Sequence, residues 1–151
     1  PWQTPTDGAL ALSDEPTTLV LPRPQTGVRK ILLAEDDRAL ARGVRSVLEE
    51  EGGSAWEVRV ARTGQRALDL AATTQPDLLL LDVRLPGLNG VEVYRRLREE
   101  ADGESLRVIF ISAATSYDLQ QMGIEDGVLL RKPFDMADLT GIVRAVLSRD
   151  A

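Results

Sequence analysis

The residues of this 151-residue chain best suited to chemistry stand at the downstream ends of four short apolar runs. Lys30-Ile-Leu-Leu-Ala34 leads into Glu35-Asp36-Asp37, and Leu78-Leu-Leu-Leu81 ends at Asp82. Val108-Ile-Phe-Ile111 ends at Ser112, and Val128-Leu-Leu130 ends at Arg131-Lys132-Pro133. Carboxylates gathered at one edge repel, and a hard, oxygen-seeking cation relieves that repulsion. Magnesium suits the set, because it takes one or two carboxylates, keeps waters and leaves positions for phosphate oxygens. A nearby lysine pairs with phosphate as a point charge, and a serine hydroxyl donates to another oxygen. An Asp carboxylate so placed can attack phosphorus, since phosphoryl transfer needs charge neutralisation and alignment more than covalent help. The chemistry implied is an aspartate that becomes an acyl phosphate. Taken singly, each feature has a plainer reading: the acidic triplet as a helix cap, Leu85-Pro86-Gly87 as a turn, the Ser and Lys as solvated strand ends.

Composition removes many rivals. The chain has 18 Lys plus Arg, 24 Asp plus Glu, a formal charge of −6, no Cys and no His. Disulfides, thiolate zinc sites, cysteine nucleophiles, Ser-His-Asp triads, imidazole ligands and phosphohistidine are therefore excluded. Any metal must be held by oxygen, and the acidic balance argues against a nucleic-acid surface. Apolar residues make up 43% of the chain, enough to build a core. No apolar run approaches the ~20 residues of a membrane helix, and the N-terminus lacks the pattern of a signal peptide. A first residue of Pro1 rather than Met predicts a piece of a longer chain.

The elements that must position these side chains follow from periodicity. Residues 1–27 hold five of the eight prolines and are expected to be a Pro/Thr-rich tail or linker, with Thr18-Leu19-Val20-Leu21 its one candidate strand. Over 28–151 strand and helix signals alternate. The four runs above are strands, with a further strand around Val58 and Val60. Helices are predicted over 38–50, where Leu40, Val44, Val47 and Leu48 share a face and Gly52-Gly53 ends the run, and around Ala67, Leu68 and Ala71. Others follow around Val91, Tyr94 and Leu97, with Val93 a further candidate for that face, weakly over 116–122, and from Met136 to Leu147. Five alternations over about 120 residues predict an α/β fold: a flavodoxin-like, doubly wound five-stranded parallel sheet, strand order 2-1-3-4-5, with helices on both faces. That order makes strands 1, 3, 4 and 5 neighbours, so the four chemical strand ends converge on one pocket.

From Val28 to Arg149 the chain resembles the receiver domain of bacterial two-component response regulators. The matching segments are Ile31-Leu-Leu-Ala-Glu-Asp-Asp37, Pro76-Asp-Leu-Leu-Leu-Leu-Asp82-Val-Arg-Leu-Pro-Gly87 with Gly90, Ile111-Ser-Ala113 and Lys132-Pro-Phe134. The resemblance implies that Asp82 is the phosphoacceptor and a magnesium ligand, joined by Asp36 directly, Glu35 through water and the backbone carbonyl of Arg84. It implies that Lys132 pairs with the phosphoryl group, that Ser112 moves to bond it, and that small Ala113 leaves access. Asp37 is then an N-cap, and the Lys132–Pro133 bond is expected to be cis. The implied phosphodonor is a histidine kinase or phosphotransfer domain, and the implied output a downstream protein or linked domain in the cytoplasm. A homodimer is compatible, and a hybrid histidine kinase would fit as the parent.

Two departures bear on mechanism. The family's aromatic switch position is Leu129, and the spacing from Ser112 to Lys132 is short around the weak fourth helix. Arg84 and Ala114 stand at positions that tune phosphate loss in the family, and neither offers an acid or amide to orient water, which predicts slow loss. Three rival readings stand beside this one. A haloacid-dehalogenase-type phosphatase would need an acid where Arg84 stands, and a nucleotide or flavin binder would need a phosphate-cradling loop where Glu35-Asp36-Asp37 repels phosphate. A receiver-like domain that acts by protein binding without phosphorylation stays open.

Overall fold

Side chains alternate across a strand, and here that alternation divides the core into two layers, one on each side of a single sheet. The computed structural model describes residues 2–3, 27–100, 106–125 and 127–148, the first two by backbone alone. In chain order these form β1 (Trp2–Gln3), β2 (Arg29–Ala34), α1 (Arg38–Gly52), β3 (Trp56–Ala61), α2 (Gly64–Thr74) and β4 (Leu78–Asp82). Then come α3 (Gly90–Arg98), β5 (Arg107–Ser112), α4 (Ser116–Gln121), β6 (Gly127–Arg131) and α5 (Met136–Ser148). The sheet order is β1-β6-β5-β4-β2-β3, and every pairing is parallel.

The five predicted strands are β2 to β6, and they lie in the predicted order. The two-residue β1 adds to the outer edge of β6, in register Trp2 opposite Gly127 and Gln3 opposite Val128. It falls within the expected tail and carries no periodic signal of its own. The candidate strand Thr18–Leu21 lies outside the described residues.

Ile31 and Leu33, Leu78 and Leu80, Ile109 and Ile111, and Leu130 pack under α1 and α5. Leu32, Leu79, Leu81, Phe110 and Leu129 face the other way, under α2, α3 and α4. β4 is buried along its whole length, as the middle strand of a parallel sheet should be. The first three helices start where a side chain caps them: Asp37 accepts from Leu40 N–H, Thr63 from Arg66 N–H and Asn89 from Glu92 N–H. The short α4 opens on a reciprocal capping box between Thr115 and Asp118. On α3 the inward residues are Val91, Val93 and Leu97. Tyr94 lies at the margin, edge-on to Phe110 at 5.1 Å, with the Arg98 guanidinium over its ring.

At the far end of the sheet from the chemical strand ends, Asp77 ties two strands together. Its Oδ2 accepts from Lys30 N–H and its own N–H donates to Lys30 O, both at 2.8 Å. No helix among the described residues is long and apolar enough to cross a membrane.

Candidate functional site

The carboxyl ends of β2, β4, β5 and β6 bring together side chains that are far apart in the chain. Lys132 Nζ lies 2.8 Å from Asp82 Oδ2 and 2.9 Å from Glu35 Oε1. Carboxylate oxygens of Glu35, Asp36 and Asp82 all lie within 4.8 Å of one another. Glu35, Asp82 and Ser112 are buried, whereas Asp36 is exposed at the mouth.

Local backbone geometry fixes each of these groups. Asp82 Oδ1 accepts from the backbone N–H of Arg84 at 2.9 Å, which holds one carboxylate oxygen while the other meets Lys132. Glu35 Oε2 accepts from Asp37 N–H, and Asp37 in turn caps α1, so the acidic triplet divides its work. Lys132 is aligned from its backbone, where its N–H donates to Ser112 O at 2.9 Å across the β5–β6 ladder. The bond from Lys132 to Pro133 is cis. Ser112 Oγ accepts from Ala114 N–H at 3.0 Å, closing a tight turn after β5.

Gly90 shapes the floor. Its N–H donates to Val83 O, and a Cβ there would fall on the Asp82 carbonyl oxygen and within 2.8 Å of Val83 Cα. Only a residue without a side chain lets α3 begin so close to the end of β4.

Electrostatically the cluster is under-compensated. Two buried carboxylates share one ammonium, and Glu35 Oε1 meets it as an ion pair without the angles of a hydrogen bond. Burial raises the Glu35 carboxyl above the ordinary glutamate value, with Asp82 adding to the rise and Lys132 and the Asp37 N–H opposing it. Burial draws the Lys132 ammonium down, but its hydrogen bond to Asp82 and its ion pair with Glu35 outweigh that and hold it above its ordinary value. Such an oxygen-rich cluster of two buried acids on one ammonium fits a hard divalent cation: the buried Oε1 lacks a full partner, and the chain has no Cys or His to offer a softer ligand.

The response regulator receiver domain family matches residues 31–144 of this chain. The chain belongs to that family. It is 37% identical over 122 residues to the response regulator MprA of Mycolicibacterium vanbaalenii, covering 80% of this chain and 51% of that regulator. The receiver domain thus spans about half the length of the curated relatives it matches. Two solved structures are similar in fold. The receiver domain of a sensor histidine kinase from Pseudomonas aeruginosa, with magnesium coordinated in its active-site cleft, has a TM-score of 0.67 and 30% identity over 78% of this chain and 96% of that one. The signal receiver domain of a histidine kinase from Syntrophus aciditrophicus has a TM-score of 0.71 and 26% identity over 80% of this chain and 91% of that one. This receiver domain is accordingly a signalling domain of two-component systems.

All the side chains singled out in the sequence stand at this one end of the receiver sheet. Three features were not anticipated. One is the direct pairing of Lys132 with Glu35 as well as Asp82. Another is the capping box of α4, whose signal, Thr115 three residues before Asp118, was present in the sequence. The third is the burial of Leu129: it is 4% exposed and packs in one cluster with Leu119 and Ile124. Arg84 and Arg131 are exposed on the α4 side, where both draw down the Asp118 carboxyl, which is lowered chiefly by the Thr115 N–H and hydroxyl.

Proposed function

We propose that this receiver domain accepts a phosphoryl group on Asp82 from the phosphohistidine of a partner kinase or phosphotransfer domain. The observation that carries this reading is the shared ammonium: Lys132 Nζ holds Asp82 Oδ2 at 2.8 Å beside a second buried acid. Asp82 Oδ2 attacks phosphorus in line as the P–N bond to the donor imidazole breaks, its electron pair returning to the ring nitrogen, which takes up a proton. Lys132 then passes from the carboxylate to the phosphoryl oxygens. Ser112 Oγ leaves the Ala114 N–H and donates its proton to another phosphoryl oxygen.

Glu35, Asp36, Asp82 and the backbone carbonyl of Arg84 would hold magnesium, which supplies charge neutralisation for the incoming phosphate. Phosphorylation changes which partners the domain binds, in the cytoplasm, and phosphate leaves slowly because neither Arg84 nor Ala114 can orient attacking water.

One experiment tests the reading. The domain is incubated with magnesium and either a small acyl phosphate or beryllofluoride, and the adduct is followed by intact mass or fluorine resonance. An adduct on the wild type that Asp82→Asn abolishes supports the assignment. A wild type that takes up neither reagent overturns it.

A further inference from the structure

The two edges of the sheet are defended differently. At one side β3 is the outermost strand, and its outward charged pair, Glu57 and Arg59, lies exposed and 3.5 Å apart. Charges on an edge strand discourage pairing with another chain. At the other side β6 reads Gly-Val-Leu-Leu-Arg, with no charge before its last residue and no proline. A bare edge of this kind is a template for strand addition. Lys132 N–H donates inward to β5, so by the two-residue alternation of the strand the N–H groups of Leu129 and Arg131 turn outward. The chain itself answers this. Trp2–Gln3 lies in parallel on that edge, with Gln3 opposite Val128, which sets the Gln3 carbonyl level with Leu129 N–H.

We propose that Trp2–Gln3 is a displaceable strap: it closes the outer edge of β6 in cis and so prevents a second copy of the domain from pairing there. Length permits this. Residues 4–26 supply 23 positions between Gln3 and Gly27, and a parallel connection needs a dozen or more. From β1 to β2 is four strand spacings, about 19 Å, against a reach of roughly 75 Å for 23 extended residues. Tethering sets an effective concentration on the order of millimolar, so the cis strand outcompetes another copy at micromolar protein. Pairing over only two residues is weak, so the strap opens readily. β6 is also the strand that runs on into Lys132, which places the guarded edge and the candidate site on one element.

The test compares the full chain with one lacking residues 1–3. The deletion leaves both core layers intact, because their residues all lie between Ile31 and Leu147. Amide hydrogen exchange at Leu129 is expected to quicken about tenfold in the shortened chain while the inward Leu130 amide keeps its rate. Sedimentation over a concentration series is expected to show dimer at lower concentration for the shortened chain than for the full one. Equal Leu129 exchange in the two chains overturns the strap. Faster exchange without added self-association overturns its guarding role. Protection of Leu129 in the full chain that grows with protein concentration overturns the cis assignment, because a second copy then supplies the strand.

Discussion

Lys132 Nζ lies 2.8 Å from Asp82 Oδ2 although 50 positions separate the two residues, and the same nitrogen lies 2.9 Å from the buried Glu35 Oε1. One cation therefore serves two acids that would otherwise repel in a poorly solvated pocket.

Replacing Lys132 by Gln leaves Glu35 and Asp82 facing each other uncompensated. In chelator the variant is expected to lose about 1–3 kcal/mol of stability, less than a fully buried pair would because Lys132 is partly exposed. Urea denaturation measures this directly. Added magnesium should recover part of the loss, and a variant as stable as wild type in chelator would contradict the account.

Asp36 contributes at the mouth rather than in the core. Asp36→Ala is expected to change metal-free stability by less than about 0.5 kcal/mol, as exposed substitutions do. Magnesium at ~100 times its wild-type Kd should stabilise the wild type by about 2.7 kcal/mol. The variant should show most of that gain removed, read from melting curves with and without the ion.

The pH dependence of the metal-free domain has an unusual sign at Glu35. Its folded pKa lies above the ordinary value, so the folded state binds the proton more tightly than the unfolded chain. Its ionised form therefore costs stability at neutral pH, and the cost shrinks as pH falls through the raised pKa toward the ordinary glutamate value. Lys132, raised as well, contributes stability that is present below the ordinary lysine value and is lost only as pH climbs through the raised one. Denaturation in chelator between pH 7 and 5 should show wild type gaining relative to Glu35→Gln. A constant difference across that range would exclude the effect.

Arg84 is exposed and its backbone N–H anchors Asp82, the proposed acceptor, so its guanidinium can sweep over a phosphoryl group placed there. Acyl phosphate on Asp82 is expected to decay about threefold faster in Arg84→Ala. Radiolabel retention or beryllofluoride exchange times give the comparison, and a half-life no longer in wild type would remove the screening role.

Gly90 should tolerate no side chain. Gly90→Ala drives a methyl onto the Asp82 carbonyl and is expected to cost about 1–3 kcal/mol. Because the displaced backbone carries Asp82, a proposed magnesium ligand, magnesium affinity should fall with it. Substitution at Gly87, whose surroundings are open although its φ is +74°, should disturb the metal less than it disturbs the turn.

Much of this was legible before any coordinates. Leu78–Leu81 could only be a strand buried on both faces, and alternation of strands and helices left an open parallel sheet as the consistent layer arrangement. The placing of Asp82, Ser112 and Lys132 at its carboxyl end followed from strand order alone. The inward face of α3 was harder to read. Val93 rather than Tyr94 points into the core, because a large ring with a polar tip settles at the margin, where Arg98 covers it. The pairing of Trp2–Gln3 was not legible at all, since two residues have no period and their partner is an edge 124 positions and more away.

Five of the six strands, their order and the residues that meet at their carboxyl ends could be read from the chain alone, because hydrophobic period and strand-end chemistry are local properties. How those residues divide their contacts depended on packing in three dimensions. Lys132 bridges two acids, Glu35 is fully buried while its neighbour Asp36 is exposed, Leu129 fills the core in place of a swinging ring, and β6 carries a strap. Distance, burial and edge exposure arise from packing between elements, and no run of neighbouring residues encodes them.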